Sequence, residues 1–182
     1  MIRWKDEPMP KDRSALLPIA YVTLRILIVL NWVFFACVLA LLSYTFINEA
    51  WTMKALGVAD APNAGAVLVG MRAIAALGLV AIALNYPLLK RLLAIVDTVR
   101  AGDPFVAENA YRLQAIAWIL LALQLLSIVI GGIGKAISTS GHEFHLDAGF
   151  SLNGWLAVIL TFILARVFAE GTLMREDLEG MV

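Results

Sequence analysis

Chemistry-bearing residues are scarce in this chain. It has one cysteine, Cys37, set in an apolar run. One thiol forms neither an intrachain disulfide nor a redox pair, which excludes disulfide exchange, and Cys37 reads as a small buried hydrophobe. Only 15% of residues are charged, and 14 acids balance 14 bases to a formal net charge of zero. That balance points away from direct nucleic-acid binding. No nucleophile elbow, P-loop or dinucleotide fingerprint is present. The stretch GGIGK (131–135) has the wrong spacing for a P-loop, with no Ser or Thr after Lys135. No carboxylate lies in the middle of an apolar segment, which disfavours proton-coupled transport. We therefore expect no enzyme, no catalytic residue, no cofactor and no metal.

What fills the chain instead is apolar. Hydrophobic residues make up 62% of its 182 positions, and the mean hydropathy is +0.86. A soluble domain runs nearer half apolar. The excess falls in four runs: Ile26–Phe46, reaching inward to Leu17, then Ala66–Leu84, Ile116–Ile133 and Leu152–Ala169. Each is close to the ~20 residues that cross a hydrocarbon core about 30 Å thick. Backbone amides in hydrocarbon must bond internally, so the runs are read as helices. The expected fold is all-α and polytopic: a four-helix transmembrane domain over 14–182 behind a cytoplasmic N-terminal tail, 1–13, carrying Pro8 and Pro10. The first run is too long for the h-region of a signal peptide and reads as an uncleaved span.

Orientation follows from Lys and Arg. Eleven fall on one side of the four-span arrangement and three, Lys54, Arg72 and Lys135, on the other. Both termini and the central loop are expected in the cytoplasm, with loops 47–65 and 134–151 outside. Trp51 and Trp155 sit at outer span ends and Tyr111 at an inner one, as interfacial aromatics do. Gly131, Gly132 and Gly134 are expected to loosen the outer end of the third span.

The central loop has structure of its own. After Pro87, the residues Leu88, Leu89, Leu92, Leu93, Ile95, Val96 and Val99 form a helical stripe. This reads as the second span prolonged into the cytoplasm with a kink at Pro87; the alternative is an interfacial helix on anionic lipid. Next comes GDPF. Gly102 suits the left-handed residue just past a helix. Asp103 suits an N-cap, with Pro104 at the first helical position and Glu108 favouring the dipole of the next helix. The result is a helical hairpin whose tip is a tight corner.

Among polar residues, Arg25, Arg72 and Arg166 lie near span ends, where arginine snorkels or pairs. Arg166 has Glu170 four residues on, and Arg72 has Glu49 or Asp60 within reach. Asn31 and Gln124 read as interhelical hydrogen-bond glue. The outer GHEFHLD places His142, Glu143, His145 and Asp147 together, but not at the spacing of a zinc-binding helix, and no metal is expected there.

Two segments, GDPFVAENAYRLQAIAW (102–118) and FAEGTLMREDLEGMV (168–182), resemble the bacterial membrane family catalogued as domain of unknown function 2975. The resemblance runs roughly from the first span to the C-terminus. It implies four helices, a cytoplasmic corner carried here by Gly102, Pro104, Phe105, Glu108 and Asn109, and an acidic end after Glu170 and Gly171. It implies a bacterial inner membrane and a nearby small helix-turn-helix regulator as partner. It implies no activity.

The expected function is a non-enzymatic membrane protein whose cytoplasmic face binds or senses a regulatory partner. Phe105 would anchor that partner, while Asp103, Glu108, Glu176, Asp177 and Glu179 would meet its basic surface. The other partners are the lipid bilayer and, as a further option, a second copy in a homo-oligomer. The rival is a transporter subunit or lipid-handling protein. A polar cavity shared by Arg72, Gln124 and Asn31 would favour it.

Overall fold

The computed structural model describes residues 12–59, 63–138 and 149–179. Among them are five α-helices and no strand: α1 (Asp12–Ile47), α2 (Glu49–Ala55), α3 (Ala64–Arg100), α4 (Ala107–Ile137) and α5 (Leu152–Glu179). Four are long and apolar enough to cross a membrane, over Leu17–Ile47, Ala64–Arg100, Ala107–Ile137 and Leu152–Arg175. The all-α, four-span expectation holds, and the helices run well past the apolar cores that announced them.

The extension is largest in α3. Its 37 residues give a length of about 55 Å at 1.5 Å per residue, far beyond the ~30 Å of hydrocarbon. Pro87 sits inside it, and the helix continues through to Arg100. Proline lacks the N–H that would bond four residues back. The neighbouring turns are reinforced by side chains: Asn85 Nδ2 donates to Ala81 O at 3.0 Å and Arg91 Nη1 to Pro87 O at 3.3 Å. The Leu88–Val99 stripe is thus a continuation of the second span rather than a separate interfacial helix.

The long helices form an open row. α1 packs on α3, α3 on α4 and α4 on α5, while α1 touches neither α4 nor α5 and α3 does not touch α5. Each inner helix therefore has two neighbours and each edge helix has one. No residue in the apolar window of α1 is buried; Ile26, Val29, Leu30, Val33 and Phe34 are all exposed. In water such a surface would drive aggregation. Against lipid tails it costs nothing, because the tails are as apolar as the side chains.

Helix direction alternates, so the α3–α4 turn, the start of α1 and the end of α5 share one end of the row, here the corner end. At the opposite end the 47–65 segment, expected as loop, contains α2. Asn48 caps it, its Oδ1 accepting from the Trp51 N–H at 3.0 Å. Gly57, at φ +69°, closes it, and Val58 folds into a small core with Val67 and Ile137. Arg72 fastens this end. Its guanidinium donates to Glu49 Oε1 at 2.9 Å, to Thr45 Oγ1 at 3.2 Å and to the Thr45 carbonyl, and it lies 4.1 Å from the Phe46 ring centroid. Thr45 is in the last turn of α1, where carbonyls lack helical partners and a cation is favoured. Asp60, the other acid expected within reach of Arg72, lies outside the described residues.

The glycines near the end of α4 do not loosen it. The helix runs unbroken to Ile137, and Gly131 and Gly134 are buried. On the facing helix, Gly70 is buried too, and a Cβ there would lie 2.4 Å from Ile137 Cγ2. Missing side chains here let two backbones approach.

Candidate functional site

The corner is built from the end of α3 outward. Gly102 has φ +85°. Its N–H donates to Val99 O at 3.1 Å, and the Asp103 N–H donates to Thr98 O at 3.0 Å. This pair of bonds closes a helix around a left-handed glycine and satisfies its last carbonyls, as the sequence predicts for Gly102.

The predicted N-cap at Asp103, with Pro104 as first helical residue, is not realised. α4 begins at Ala107, and Val106 precedes it in an extended conformation with no side-chain cap. The intervening Asp103–Val106 segment is held by Asn109, which is 0% exposed. Asn109 Nδ2 donates to Thr98 Oγ1 at 2.6 Å and to Pro104 O at 2.9 Å; its Oδ1 accepts from Arg112 Nη1 at 2.7 Å. One buried amide thus ties together the last turn of α3, the loop and the first turns of α4. Glu108 is exposed in that first turn, the position at which its charge favours the helix dipole.

The reason the chain does not turn helical at Asp103 lies on α5. Phe105 packs on Phe168 with ring centroids 5.3 Å apart. It also lies over Gly171, where a Cβ would come within 3.1 Å of its ring. Asp103 forms an ion pair with Arg175 instead of capping α4. The acidic segment after Glu170 is accordingly not a loose tail: α5 continues as a helix to Glu179, and Glu170 pairs with Arg166 at 2.8 Å. The side chains of Glu176, Asp177 and Glu179 lie outside the described residues, as do residues 1–11 and the His142, Glu143, His145, Asp147 cluster. Phe105 keeps 43% of its surface exposed despite these contacts.

Arg72, Asn31 and Gln124 do not converge. Arg72 is committed at the far end of the row. Asn31 lines a groove between α1 and α3 with Asn85 and Cys37. Gln124 is buried between α4 and α5, its Nε2 3.4 Å from Ser151 O, beneath Gly154, where a Cβ would meet its Oε1 at 2.0 Å. Gln124 thus reaches from α4 to the residue that precedes α5 rather than to the helix itself, and Gly154 is the space it occupies. A feature without a sequence forecast is a cleft of about 590 Å³ between α4 and α5, on the corner side, with Tyr111, Gln114, Phe162 and Arg166 on its walls. Its signal was legible only in part: alanines at 107, 110, 165 and 169 recur at helical spacing, but their facing each other depends on how the helices pair.

No protein-family model, curated protein or solved structure matches the chain.

Proposed function

We propose that this is a non-enzymatic, multi-pass protein of a bacterial inner membrane, with both termini and the corner in the cytoplasm, and that the corner docks a regulatory protein. The basic asymmetry supports that orientation. The observation that carries the docking reading is Phe105: a large aromatic, 43% exposed, on a loop locked by a fully buried asparagine and latched to a second helix. An aromatic held in place loses little conformational freedom on binding, and such residues dominate interface energetics. Glu108 beside it, and the acids ending α5, suit a basic partner. A small helix-turn-helix regulator, the class suggested by the resemblance of segments 102–118 and 168–182, fits that description. Transport through a shared polar path is the weaker reading, because Arg72, Asn31 and Gln124 sit at three separate places.

The experiment is in-cell photo-crosslinking from a photoreactive residue at position 105, combined with the transcriptome of a strain lacking the gene. One soluble regulator should be captured, and a narrow set of transcripts should move. Phe105→Ala and removal of residues 175–182 should each reduce capture while the helices persist. Reversing Glu176, Asp177 and Glu179 should weaken capture more at low salt than at high, since exposed charges are screened over about 10 Å at 0.1 M. If no transcript moves and no soluble protein is captured, yet a solute or lipid flux changes, the docking proposal is wrong.

A further inference from the structure

The α4–α5 cleft has a polar arrangement matched to one class of molecule. From Leu152 to Arg166 is fourteen residues, about 21 Å of helix. The guanidinium of a side chain that snorkels outward from there reaches the headgroup level of the leaflet on the corner side. Its partner Glu170, one turn nearer the corner, accepts from Arg166 Nε at 2.8 Å. Both are exposed, at 79% and 58% of their side chains, so neither charge is consumed by burial. Gln114 and Tyr111 add donors on the facing wall. One turn deeper Phe162 enters the lining, and Trp118 stacks edge-on against that ring at 5.4 Å. The cleft wall thus grades from the Arg166 guanidinium, with Glu170 paired to it at the rim, to the Phe162 ring below.

We propose that this cleft binds a phospholipid with an amine headgroup. The phosphate is taken by Arg166 with Gln114 and Tyr111, and the primary ammonium by Glu170. One acyl chain runs along Phe162 and Trp118. A guanidinium presents a fork of N–H donors to phosphate oxygens, and a carboxylate takes charge-assisted bonds from ammonium N–H groups. An anionic lipid would leave Glu170 facing a negative headgroup, and a quaternary amine would offer it no N–H. The alanines, of which Ala165 is 6% exposed, create the space: any larger side chain there fills it. Occupancy is a property of the isolated chain, so it stands or falls separately from partner docking at the corner.

The test is native mass spectrometry of the full-length protein with phosphatidylethanolamine, phosphatidylcholine and phosphatidylglycerol offered in turn. One phosphatidylethanolamine should be retained in preference to the others. Arg166→Gln should lower its occupancy about tenfold, the loss of one charged hydrogen bond. Glu170→Gln should bring phosphatidylethanolamine down to the level of phosphatidylcholine and leave the latter unchanged. Ala169→Phe should empty the cleft; if that variant fails to accumulate, Ala110→Leu on the other wall makes the same test. Water-soluble glycerophosphoethanolamine should not displace the lipid. The proposal is overturned if the cleft-filling variant keeps its lipid, if phosphatidylglycerol binds best, if Glu170→Gln leaves the order of the three unchanged, or if the soluble headgroup competes.

Discussion

Asn109 is the residue on which the corner depends. With no exposed surface, it donates to two acceptors and accepts from Arg112. Asn109→Ala takes from the Pro104 carbonyl and the Thr98 hydroxyl the N–H that each accepts, the hydroxyl keeping its own bond to Ile95 O at 2.8 Å, at a cost of about 1–3 kcal/mol. Gly102→Val has open space for its side chain, so its cost is conformational, about 1–2 kcal/mol for a non-glycine residue in the left-handed region. Asp103→Ala removes only a surface ion pair, each side chain being more than two-fifths exposed, and should cost under about 1 kcal/mol. Detergent melts should therefore rank Asn109→Ala and Gly102→Val well below the parent and Asp103→Ala close to it. A large loss for Asp103→Ala would restore the capping role that the sequence suggested. Gly102 was legible because a helix end after an apolar stripe is a local matter. Asp103 was misread because Asp-Pro is a local capping signal, and the contact that overrides it, Phe105 on Phe168, joins residues far apart in sequence.

At the scale of elements, the helices were legible and their faces were not. Four apolar runs require four helices whatever their neighbours. Which glycine meets which side chain depends on the partner. Along α3, Gly78 has nothing near its Cβ position, and the tight approach is at Gly70 against Ile137. Gly70→Ala should destabilise by about 1–3 kcal/mol through overpacking. Combined with Ile137→Ala it should cost less than the sum of the two single changes, with a coupling of about 0.5–3 kcal/mol. Additive losses would place Gly70 elsewhere than against Ile137. The helix α2 shows what a stricter reading of capping signals finds: Asn48 before Glu49, and Gly57 followed by apolar Val58, are start and stop signals that a hydropathy scan passes over because the segment between them is short.

For the whole molecule, the row of helices makes a prediction that a closed bundle does not. In a Cys37→Ser background, cysteines replacing Trp118 and Phe162 should crosslink within one chain, since those rings touch. Cysteines replacing Val33 on α1 and Ile163 on α5 should give no intrachain product. A strong α1–α5 crosslink at monomer mass would mean the row closes on itself. Reporter fusions check the orientation independently: one after Val182 or at Ala101 should read as cytoplasmic and one at Ser140 as exported, with a cytoplasmic signal at Ser140 overturning the four-span topology. The sequence by itself determined the class of fold, because hydrocarbon leaves the backbone no alternative to helices and sets their minimum length. It also determined the left-handed stop at Gly102 and the Arg166–Glu170 pair, both of which act within a turn or two of chain. Only the tertiary structure decided that α1 stands at an open edge, that Arg72 closes the end of α1, that Asp103 and Phe105 reach across to α5, and that four alanines on two helices leave a cleft. Each of these depends on distant segments meeting, and lipid, being as apolar as the side chains, leaves that choice to shape and to a few hydrogen bonds that no hydropathy pattern records.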